Sequence, residues 1–299
     1  MSGDYGHIHP KFRAVALKSK AERIAFLDEP RWIRYAAADR IIDNLHGLLD
    51  KPKRPRMPNL LIVGEPNNGK TTIIRRFHSQ VENEIDDEGE PVIPVILAES
   101  PPTADEKGLY ISILEEFHSP YRATDPVSKM RYQVVHQFRY CHVRMLIVDE
   151  FHSLLTGSAI KQREVMNAIK MLCNTLAIPI VGVGTADAVK VLHTDPQHAS
   201  RFDVVRLPRW EANQEFLKLL RSFERVLPLR KPSNLGNRPE LAEPLLVISR
   251  GIIGNLHRLL IECAIEAIET GKECIDREII ERKKCLQPTA PYGIRELNP

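Results

Sequence analysis

The sequence predicts an α/β protein, a parallel five-stranded αβα sandwich with a helical N-terminal extension and a small all-helical C-terminal domain. Three observations predict it: short apolar runs separated by helical stretches, a glycine-rich loop directly after the first run, and helical spacing alone after Pro208. The 299 residues are 43% hydrophobic and 27% charged, which is typical of a soluble globular protein and excludes disorder throughout.

Four parts are predicted along the chain. Residues 1–57 form the helical extension and a linker, 58–208 the α/β core, 209–285 the helical domain, and 286–299 a loose tail. The linker is placed at Lys51–Pro58, because its three prolines exclude a helix.

Continuous apolar runs predict the five strands, since strands covered on both faces of a parallel sheet show no alternation. The runs are Leu60–Val63, Val92–Leu97, Met145–Val148, Ile178–Val183 and a weaker Val204–Leu207. Glu82–Glu90 carries six acidic residues in nine and is predicted to be a solvated loop.

Helical periodicity marks the segments between and after these runs. One predicted helix face between the strands carries Val165, Ile169, Leu172 and Leu176. After Pro208, one helix is marked by Phe216, Leu219, Leu220, Phe223 and Leu227. Another is marked by Leu256, Leu260, Ala264 and Ile268, and it is predicted to end at Gly271.

Charge and cysteine content argue against several classes of protein. Forty-two Lys and Arg against 39 Asp and Glu give a net charge of +3, so a nucleic-acid surface would need local clustering of cations. Five cysteines without a Cys-x-x-Cys pair argue against a disulfide framework and a zinc ribbon, and indicate a reducing compartment. No leader or membrane-spanning run is evident, so we expect a cytoplasmic protein with no membrane partner.

The most informative motif is the glycine-rich loop that begins at Gly64. It matches the eight-residue P-loop pattern between a predicted strand and a predicted helix, and it includes Gly64, Glu65, Pro66, Asn67, Asn68, Gly69, Lys70 and Thr71, with Thr72 following. Backbone N–H groups of such a loop surround phosphate oxygens at the positive end of a helix. We expect Lys70 to neutralise the β- and γ-phosphates and Thr71 to bind Mg²⁺. The alternative is a glycine turn with a surface lysine.

A second motif follows the third apolar run, where Asp149 and Glu150 stand at its carboxyl end. Ligands bind at the carboxyl ends of parallel strands. Given the P-loop, Asp149 is the expected Mg²⁺ ligand, direct or through water, and Glu150 the base or orienter of the water that attacks the γ-phosphate. A surface salt bridge of Glu150 is the alternative.

Two further residues complete the predicted catalytic set. Thr185 follows the next run and is expected to contact the γ-phosphate or the attacking water, with a helix N-cap as the alternative. Arg201 precedes the last run, where ring-forming ATPases place an arginine that reaches the neighbouring subunit's nucleotide. An intramolecular ion pair is the alternative for Arg201.

In this order of motifs the chain resembles the AAA+ ATPases, and in its finer features the TniB branch, which is related to TnsC and more distantly to MuB. The matching features are Arg31-Trp32-Ile33-Arg34-Tyr35, Arg56 to Gly64, Asn67 to Thr72, Asp149 to Leu155 with Gly157, Gly182 to Thr185, Ser200 to Phe202 and Gly251 to Leu256. The first of these and the Asn67-Asn68 pair point to the branch, and the resemblance covers about residues 12–285.

The resemblance implies an ATPase that regulates DNA transposition. It would assemble as a homo-oligomeric ring or filament on double-stranded DNA with ATP bound, mark the target, and recruit or activate a DDE transposase, and hydrolysis would disassemble it. A TniQ-type targeting protein is a further implied partner. The helical domain would be the lid. Its usual sensor arginine stands three residues after a glycine, whereas Arg258 stands one place further on, so either Arg258 takes the sensor role or the lid contact is lost. Ile33 and Tyr35 are candidate adenine contacts.

DNA contacts would come from a few cations that follow the phosphate backbone without reading bases. Candidates are Lys107, Lys161 and Arg163, and secondly the basic linker Lys51–Arg56; a solvated surface is the alternative for each. Two other functions share the ATP-site residues: an AAA+ helicase loader or replication initiator, and a small-molecule P-loop kinase.

Overall fold

The computed structural model describes residues 5–192 and 201–286, which form two compact units. Arg40–Pro208 make up the α/β unit, and the described residues before Arg40 and after Pro208 make up the helical unit. The predicted N-terminal extension is thus divided between the two units. Ser200 and the predicted tail from residue 287 onward lie outside the described residues.

A five-stranded parallel sheet lies at the centre of the α/β unit, as predicted. Its strands are numbered along the chain together with a two-stranded hairpin: β1 Asn59–Gly64, β2 Glu84–Ile85, β3 Pro91–Val92, β4 Val95–Glu99, β5 Met145–Asp149, β6 Ile180–Gly184 and β7 Phe202–Leu207. The order across the sheet is β4-β5-β6-β1-β7, and every neighbouring pair is parallel.

The hairpin of β2 and β3 corrects two predictions. The predicted strand Val92–Leu97 is divided, because Val92 pairs with Glu84 in the hairpin and the sheet strand begins only after Pro94. Proline has no backbone N–H and so cannot donate to a ladder. The acidic stretch Glu82–Glu90 is likewise not wholly a loop, since β2 lies within it. Its remaining acidic tip forms the turn of the hairpin.

Helices cover the sheet and form the second unit. In chain order they are α1 Arg13–Ala16, α2 Lys20–Asp28, α3 Ala36–Leu49, α4 Lys70–His78, α5 Glu106–Glu116, α6 Val127–Tyr140, α7 Ala159–Leu176, α8 Ala188–Leu192, α9 Gln214–Glu224, α10 Pro239–Ser249, α11 Ile253–Glu269 and α12 Arg277–Arg282. Short 3-10 turns span Pro10–Phe12, Phe151–Leu155 and Lys283–Leu286.

The core of the α/β unit lies between the sheet and its helices. On α7, the predicted face of Val165, Ile169, Leu172 and Leu176 is buried against the sheet layer, as the 3.6-residue spacing requires. Burying each such aliphatic side chain contributes about 1.5–3 kcal/mol. This packing holds the strands rigidly enough to position residues at their ends.

The helical unit has a core of its own, and residues 209–286 contain no strand. Leu219, Leu220 and Phe223 of α9 pack with Leu256 and Leu260 of α11. The helix α11 ends at Glu269, close to the predicted end at Gly271, which has φ +74°.

Arg23 of α2 is fully buried in the helical unit. Its guanidinium donates to the backbone oxygen of Pro228 at 2.9 Å and to the carboxylate of Glu273 at 3.0 Å.

Across residues 5–192 and 201–286, every helix is too short or too polar to cross a lipid bilayer.

Candidate nucleotide-binding site

Three strand ends meet at one edge of the sheet. Because β6 lies between β1 and β5, the carboxyl end of β6 stands between the P-loop and the acidic pair that follows β5. The sequence predicts these segments at the same edge, but it does not specify which strands are neighbours. The sheet order places Thr185 between Lys70 and Glu150.

The P-loop has the backbone that its sequence requires. Gly69 has φ +83° and caps the amino end of α4, while Asn67 has φ +58°, a conformation that asparagine tolerates better than most residues. Gly64 is needed for a different reason, because a Cβ atom there would lie only 3.0 Å from the backbone oxygen of Leu207. The loop therefore turns tightly and directs the start of α4 into the site.

Lys70 lies folded against its own loop. Its Nζ donates to the backbone oxygens of Gly64 at 3.1 Å and Glu65 at 2.8 Å, and the residue is 9% exposed. Burial lowers the pKa of Lys70, while the carboxylates of Glu150, Asp149 and Glu65 raise it and offset part of that shift. The ammonium group is thus positioned to exchange two carbonyl partners for phosphate oxygens.

Thr71 and Asp149 are in direct contact. The Thr71 hydroxyl donates to Oδ2 of Asp149 at 2.7 Å, and the other carboxylate oxygen accepts the backbone N–H of Glu150 at 2.9 Å. Asp149 is 8% exposed. A hydroxyl beside a carboxylate, both oxygen donors, is a ligand pair that suits Mg²⁺.

Thr185 carries a buried hydroxyl with no hydrogen-bond partner in the described part of the chain. The alternative role of its side chain, a helix N-cap, is not realised. The N–H of Ala188 donates to the backbone oxygen of Thr185, and the hydroxyl accepts no hydrogen bond from the described residues. A buried polar atom without a partner is costly and calls for an explanation. A phosphate oxygen or water at this position would satisfy it.

These groups line one cavity of about 310 Å³. Its walls come from the P-loop and the first residues of α4, from two residues that follow β5, and from the residue that follows β6: Pro66, Asn67, Asn68, Gly69, Lys70, Thr71, Thr72, Glu150, His152 and Thr185. The volume is in the range of small-ligand pockets. The cavity brings together backbone N–H groups, the Lys70 ammonium, the Thr71 hydroxyl that is hydrogen-bonded to Asp149 behind it, and the unsatisfied hydroxyl of Thr185. This is the chemistry of a nucleoside triphosphate site.

The sequence profile of the family described as "Bacterial TniB protein" matches residues 23–212. The chain belongs to the TniB family. No curated protein sequence matches it.

Solved structures show the fold of this TniB-family chain. The ORC2 protein of Aeropyrum pernix, in ADPNP-ADP complexes, aligns with a TM-score of 0.63 at 16% identity, over 89% of this chain and 72% of that chain. ORC1 from the same organism, in complex with DNA, aligns with a TM-score of 0.58 at 16% identity, over 87% of this chain and 68% of that chain. A RuvB mutant from Thermotoga maritima aligns with a TM-score of 0.52 at 14% identity, over 86% of this chain and 72% of that chain.

These likenesses confirm the predicted AAA+ fold, as does the sheet order of the α/β unit. Together with the TniB profile and the P-loop cavity, they make this chain a nucleotide-binding ATPase of the AAA+ class. At 14–16% identity they carry no information on partners.

Asn68 has a role that sequence analysis did not separate from the rest of the loop. Its side chain is 1% exposed, and its amide donates to the backbone oxygens of Leu207 at 3.2 Å and Pro208 at 3.0 Å. These bonds tie the P-loop to the end of β7. The side chain of Asn68 therefore holds the loop against β7, and a contact of Asn68 with the nucleotide stays a prediction.

Arg201 lies at the other end of the sheet from the P-loop of its own chain. Its backbone oxygen accepts the N–H of Asn59 at 2.9 Å, at the amino end of β1, whereas the P-loop follows the carboxyl end. Six residues of strand separate the two ends by about 20 Å. The guanidinium donates to the amide oxygen of Asn174 at 2.8 Å, and it makes no ion pair with residues 5–192 or 201–286.

Ile33, Tyr35 and Arg258 belong to the helical unit. Ile33 and Tyr35 pack against its apolar core, and the ring of Tyr35 meets that of Trp210 edge to face, with centroids 5.4 Å apart. Burial strongly raises the pKa of Tyr35. Arg258 is exposed on α11. The adenine contacts and the lid sensor remain predictions.

The three candidate DNA cations differ in their surroundings. Lys107 donates to the backbone oxygen of Ala123 at 2.5 Å. Lys161 is paired with Glu164 at 3.1 Å, and this hydrogen bond and charge raise its pKa. Arg163 is exposed on α7, and among the residues described no partner accepts from its guanidinium. Arg163 is therefore the most available of the three.

Proposed function

We propose that this TniB-family chain is an ATP-dependent regulator of DNA transposition that acts in target selection. In this proposal it binds ATP and double-stranded DNA as a homo-oligomer and recruits or activates a DDE transposase, with a TniQ-type targeting protein as a further partner. ATP hydrolysis disassembles the oligomer. Family membership and the resemblance of its motifs support the transposition role. The buried, unsatisfied hydroxyl of Thr185 in the P-loop cavity is the observation that carries the ATP-dependent part.

Each site residue has a defined task in hydrolysis. Lys70 leaves the carbonyls of its loop and neutralises charge on the β- and γ-phosphates. Glu150 accepts a proton from the water that attacks the γ-phosphate. Thr185 donates its hydroxyl to a γ-phosphate oxygen or accepts a hydrogen bond from that water. The N–H groups of the P-loop hold the remaining phosphate oxygens.

Mg²⁺ is the cofactor that the donor set fits. Thr71 and Asp149 would hold it, one directly and the other directly or through water. When bound, the ion would neutralise charge that develops on the phosphates. The hydrogen bond between the two residues shows that both oxygens can reach one position.

Oligomer formation is supported by the position of Arg201. Since its own P-loop is about 20 Å away along the strands, the guanidinium has no route to the nucleotide of the same chain. In the proposed oligomer Arg201 acts on the nucleotide of the neighbouring protomer. Its hydrogen bond to Asn174 orients it before assembly.

DNA binding is supported by exposed cations without partners. The linker residues 51–56 are all exposed, and Lys51, Lys53, Arg54 and Arg56 make no ion pair within residues 5–192 and 201–286. Repetition around an oligomer multiplies a few such cations into a continuous track along the phosphates. The linker and Arg163 are therefore the proposed DNA contacts, ahead of Lys107 and Lys161.

Helicase loading and replication initiation use the same ATP-site residues and differ only in partner. The likeness to ORC proteins does not favour them, because it extends to the fold alone at 16% identity. A small-molecule kinase would need a substrate pocket with transfer arginines, whereas the described lining of the cavity includes none.

Electron microscopy tests the proposal directly. Purified protein is imaged with a non-hydrolysable ATP analogue, with ADP and without nucleotide, each with and without duplex DNA. We expect ordered oligomers on DNA only with the ATP analogue, and none with Lys70→Ala. Particles that stay monomeric with analogue, Mg²⁺ and plasmid would overturn the proposal, as would Lys70→Ala oligomers identical to wild type.

A further inference from the structure

His152 lies in the nucleotide cavity and has no role in the steps described above. It stands on the 3-10 turn Phe151–Leu155 that follows β5, two residues after Glu150. Its side chain is 33% exposed, yet its Nδ1 is buried and makes no hydrogen bond with the described residues. A buried ring nitrogen without a partner, in a polar cavity, calls for a functional explanation.

The Nδ1 atom faces the carboxylate of Glu150. The distance from Nδ1 to Oε2 of Glu150 is 3.2 Å, close enough for a hydrogen bond but not aligned for one. Contacts of catalytic groups are commonly loose before substrate binds and tighten in the complex. A small rotation of either side chain would thus let a protonated Nδ1 of His152 donate a hydrogen bond to the carboxylate of Glu150.

The backbone holds both residues in this relationship. Glu150 has φ +53°, the left-handed conformation, which turns the chain sharply after Asp149. Gly184 at the end of β6 leaves room for the ring, because a Cβ atom there would lie 3.1 Å from the backbone nitrogen of His152 and 3.3 Å from Nδ1. Both features concern residues beside the cavity, so they favour a role in the site over general packing.

We propose that His152 is a positioning residue for ATP hydrolysis: through Nδ1 it holds the carboxylate of Glu150 toward the γ-phosphate end of the cavity. The proposal rests on the role assigned above to Glu150. The Glu150 side chain is 46% exposed, and a glutamate of that exposure samples several rotamers. A fixed carboxylate meets the attacking water more often, and small errors in such positions are costly in rate.

The test separates the two ring nitrogens. In asparagine the amide nitrogen is as many bonds from Cα as Nδ1, whereas in glutamine it corresponds to Nε2. We expect His152→Asn to keep most of the wild-type kcat. His152→Gln and His152→Ala should lower kcat by about tenfold or more, with KM for ATP and the affinity for a non-hydrolysable analogue within about twofold of wild type.

A structural role would give a different result. If all three variants lose activity equally, or if their losses follow their thermal stabilities, the positioning role is overturned. It is also overturned if His152→Ala hydrolyses ATP faster than wild type, since His152 would then restrain Glu150 away from the nucleotide.

The role of Glu150 is tested in the same assay. When Glu150→Gln turns over slowly and adding His152→Ala causes no further loss, the two residues act through one step. Normal turnover by Glu150→Gln would instead remove Glu150 from the mechanism, which is a failure of the proposed function. Slow Glu150→Gln with normal His152→Ala would reject the role of His152 alone.

Discussion

The Thr71 hydroxyl donates a hydrogen bond of 2.7 Å to Oδ2 of Asp149, joining the first turn of α4 to the end of β5. The two residues are 78 positions apart in the chain. Their contact joins the two halves of the predicted Mg²⁺ site. Packing of α4 and β5 in the α/β unit therefore places the two oxygens side by side.

Replacing Thr71 tests the metal role of this pair. We expect Thr71→Ala to lower the affinity for ATP with Mg²⁺ by about tenfold, which corresponds to about 1.4 kcal/mol, and to leave nucleotide affinity in EDTA unchanged. Thr71→Ser keeps the hydroxyl and serves as the matched control. Calorimetric titration measures both, and equal losses with and without Mg²⁺ would contradict a metal role.

Glu150→Gln should separate nucleotide binding from hydrolysis. The amide keeps the shape of the side chain but cannot accept a proton, so we expect wild-type affinity and a kcat lowered about 10²–10⁴-fold. DNA complexes formed with ATP should last correspondingly longer. Single-turnover hydrolysis and complex lifetimes are the measurements, and unchanged turnover argues against the assignment.

Arg201 is predicted to act between protomers. Arg201→Ala and Lys70→Ala should each be inactive alone, while a mixture should recover part of the ATPase activity because one variant supplies the arginine and the other the P-loop. Asn174→Ala removes the hydrogen-bond partner of Arg201 and should lower activity less than Arg201→Ala. Mixtures without any recovery would favour a purely structural contact for Arg201.

Linker cations should govern the salt dependence of DNA binding. For the double variant Lys53→Ala and Arg54→Ala we expect weaker binding to every duplex sequence, and a slope of log K against log salt that is smaller by about 0.9 for each lost phosphate contact. Lys161→Ala, whose ammonium already has an acidic partner, should change the slope little. A larger change of slope for Lys161→Ala than for the linker variant would place the DNA contacts on α7 instead of the linker.

The buried pair of Arg23 and Glu273 should dominate the stability of the helical unit. Arg23→Met leaves the Glu273 carboxylate buried without its partner, so we expect a loss of about 3–5 kcal/mol in the free energy of unfolding. Adding Glu273→Gln should restore much of it. Urea unfolding at neutral pH measures Arg23→Met, Glu273→Gln and the double variant. Additive losses would show that the two residues are not coupled.

The same pair predicts the direction of acid destabilisation. Burial alone would raise the pKa of Glu273, but hydrogen bonds from Arg23 and the backbone N–H of Arg230 outweigh it and lower the pKa below its usual 4.5. A carboxyl with a lowered folded pKa stabilises fully above the unfolded value and loses that contribution as the pH falls through the folded pKa. The doubly substituted chain should therefore show a flatter stability profile below pH 4.5 than wild type.

Part of the fold was predictable because its signals are local. Apolar runs located the strands, and two starts are late where a proline intervenes: Pro94 delays β4 and Pro179 delays β6 relative to the predicted starts. By contrast, β7 begins two residues before its predicted start, at Phe202. Helix faces such as Val165 and Ile169 followed from spacing alone. The hairpin within the acidic stretch was missed, because two-residue strands are too short to show a pattern.

The functions of Asn68 and His152 show where local signals end. Both residues lie inside quoted motifs, yet the carbonyls that Asn68 contacts are 139 and 140 positions away. The sequence by itself determined the P-loop, the acidic pair and the threonine, since each depends on a few consecutive residues and the strand before them. Only the tertiary structure decided that Thr185 stands between Lys70 and Glu150, that Arg201 lies at the opposite end of the sheet, and that Arg23 meets Glu273. Those relationships depend on strand order and on how distant segments pack to exclude water, and no short stretch of sequence encodes them.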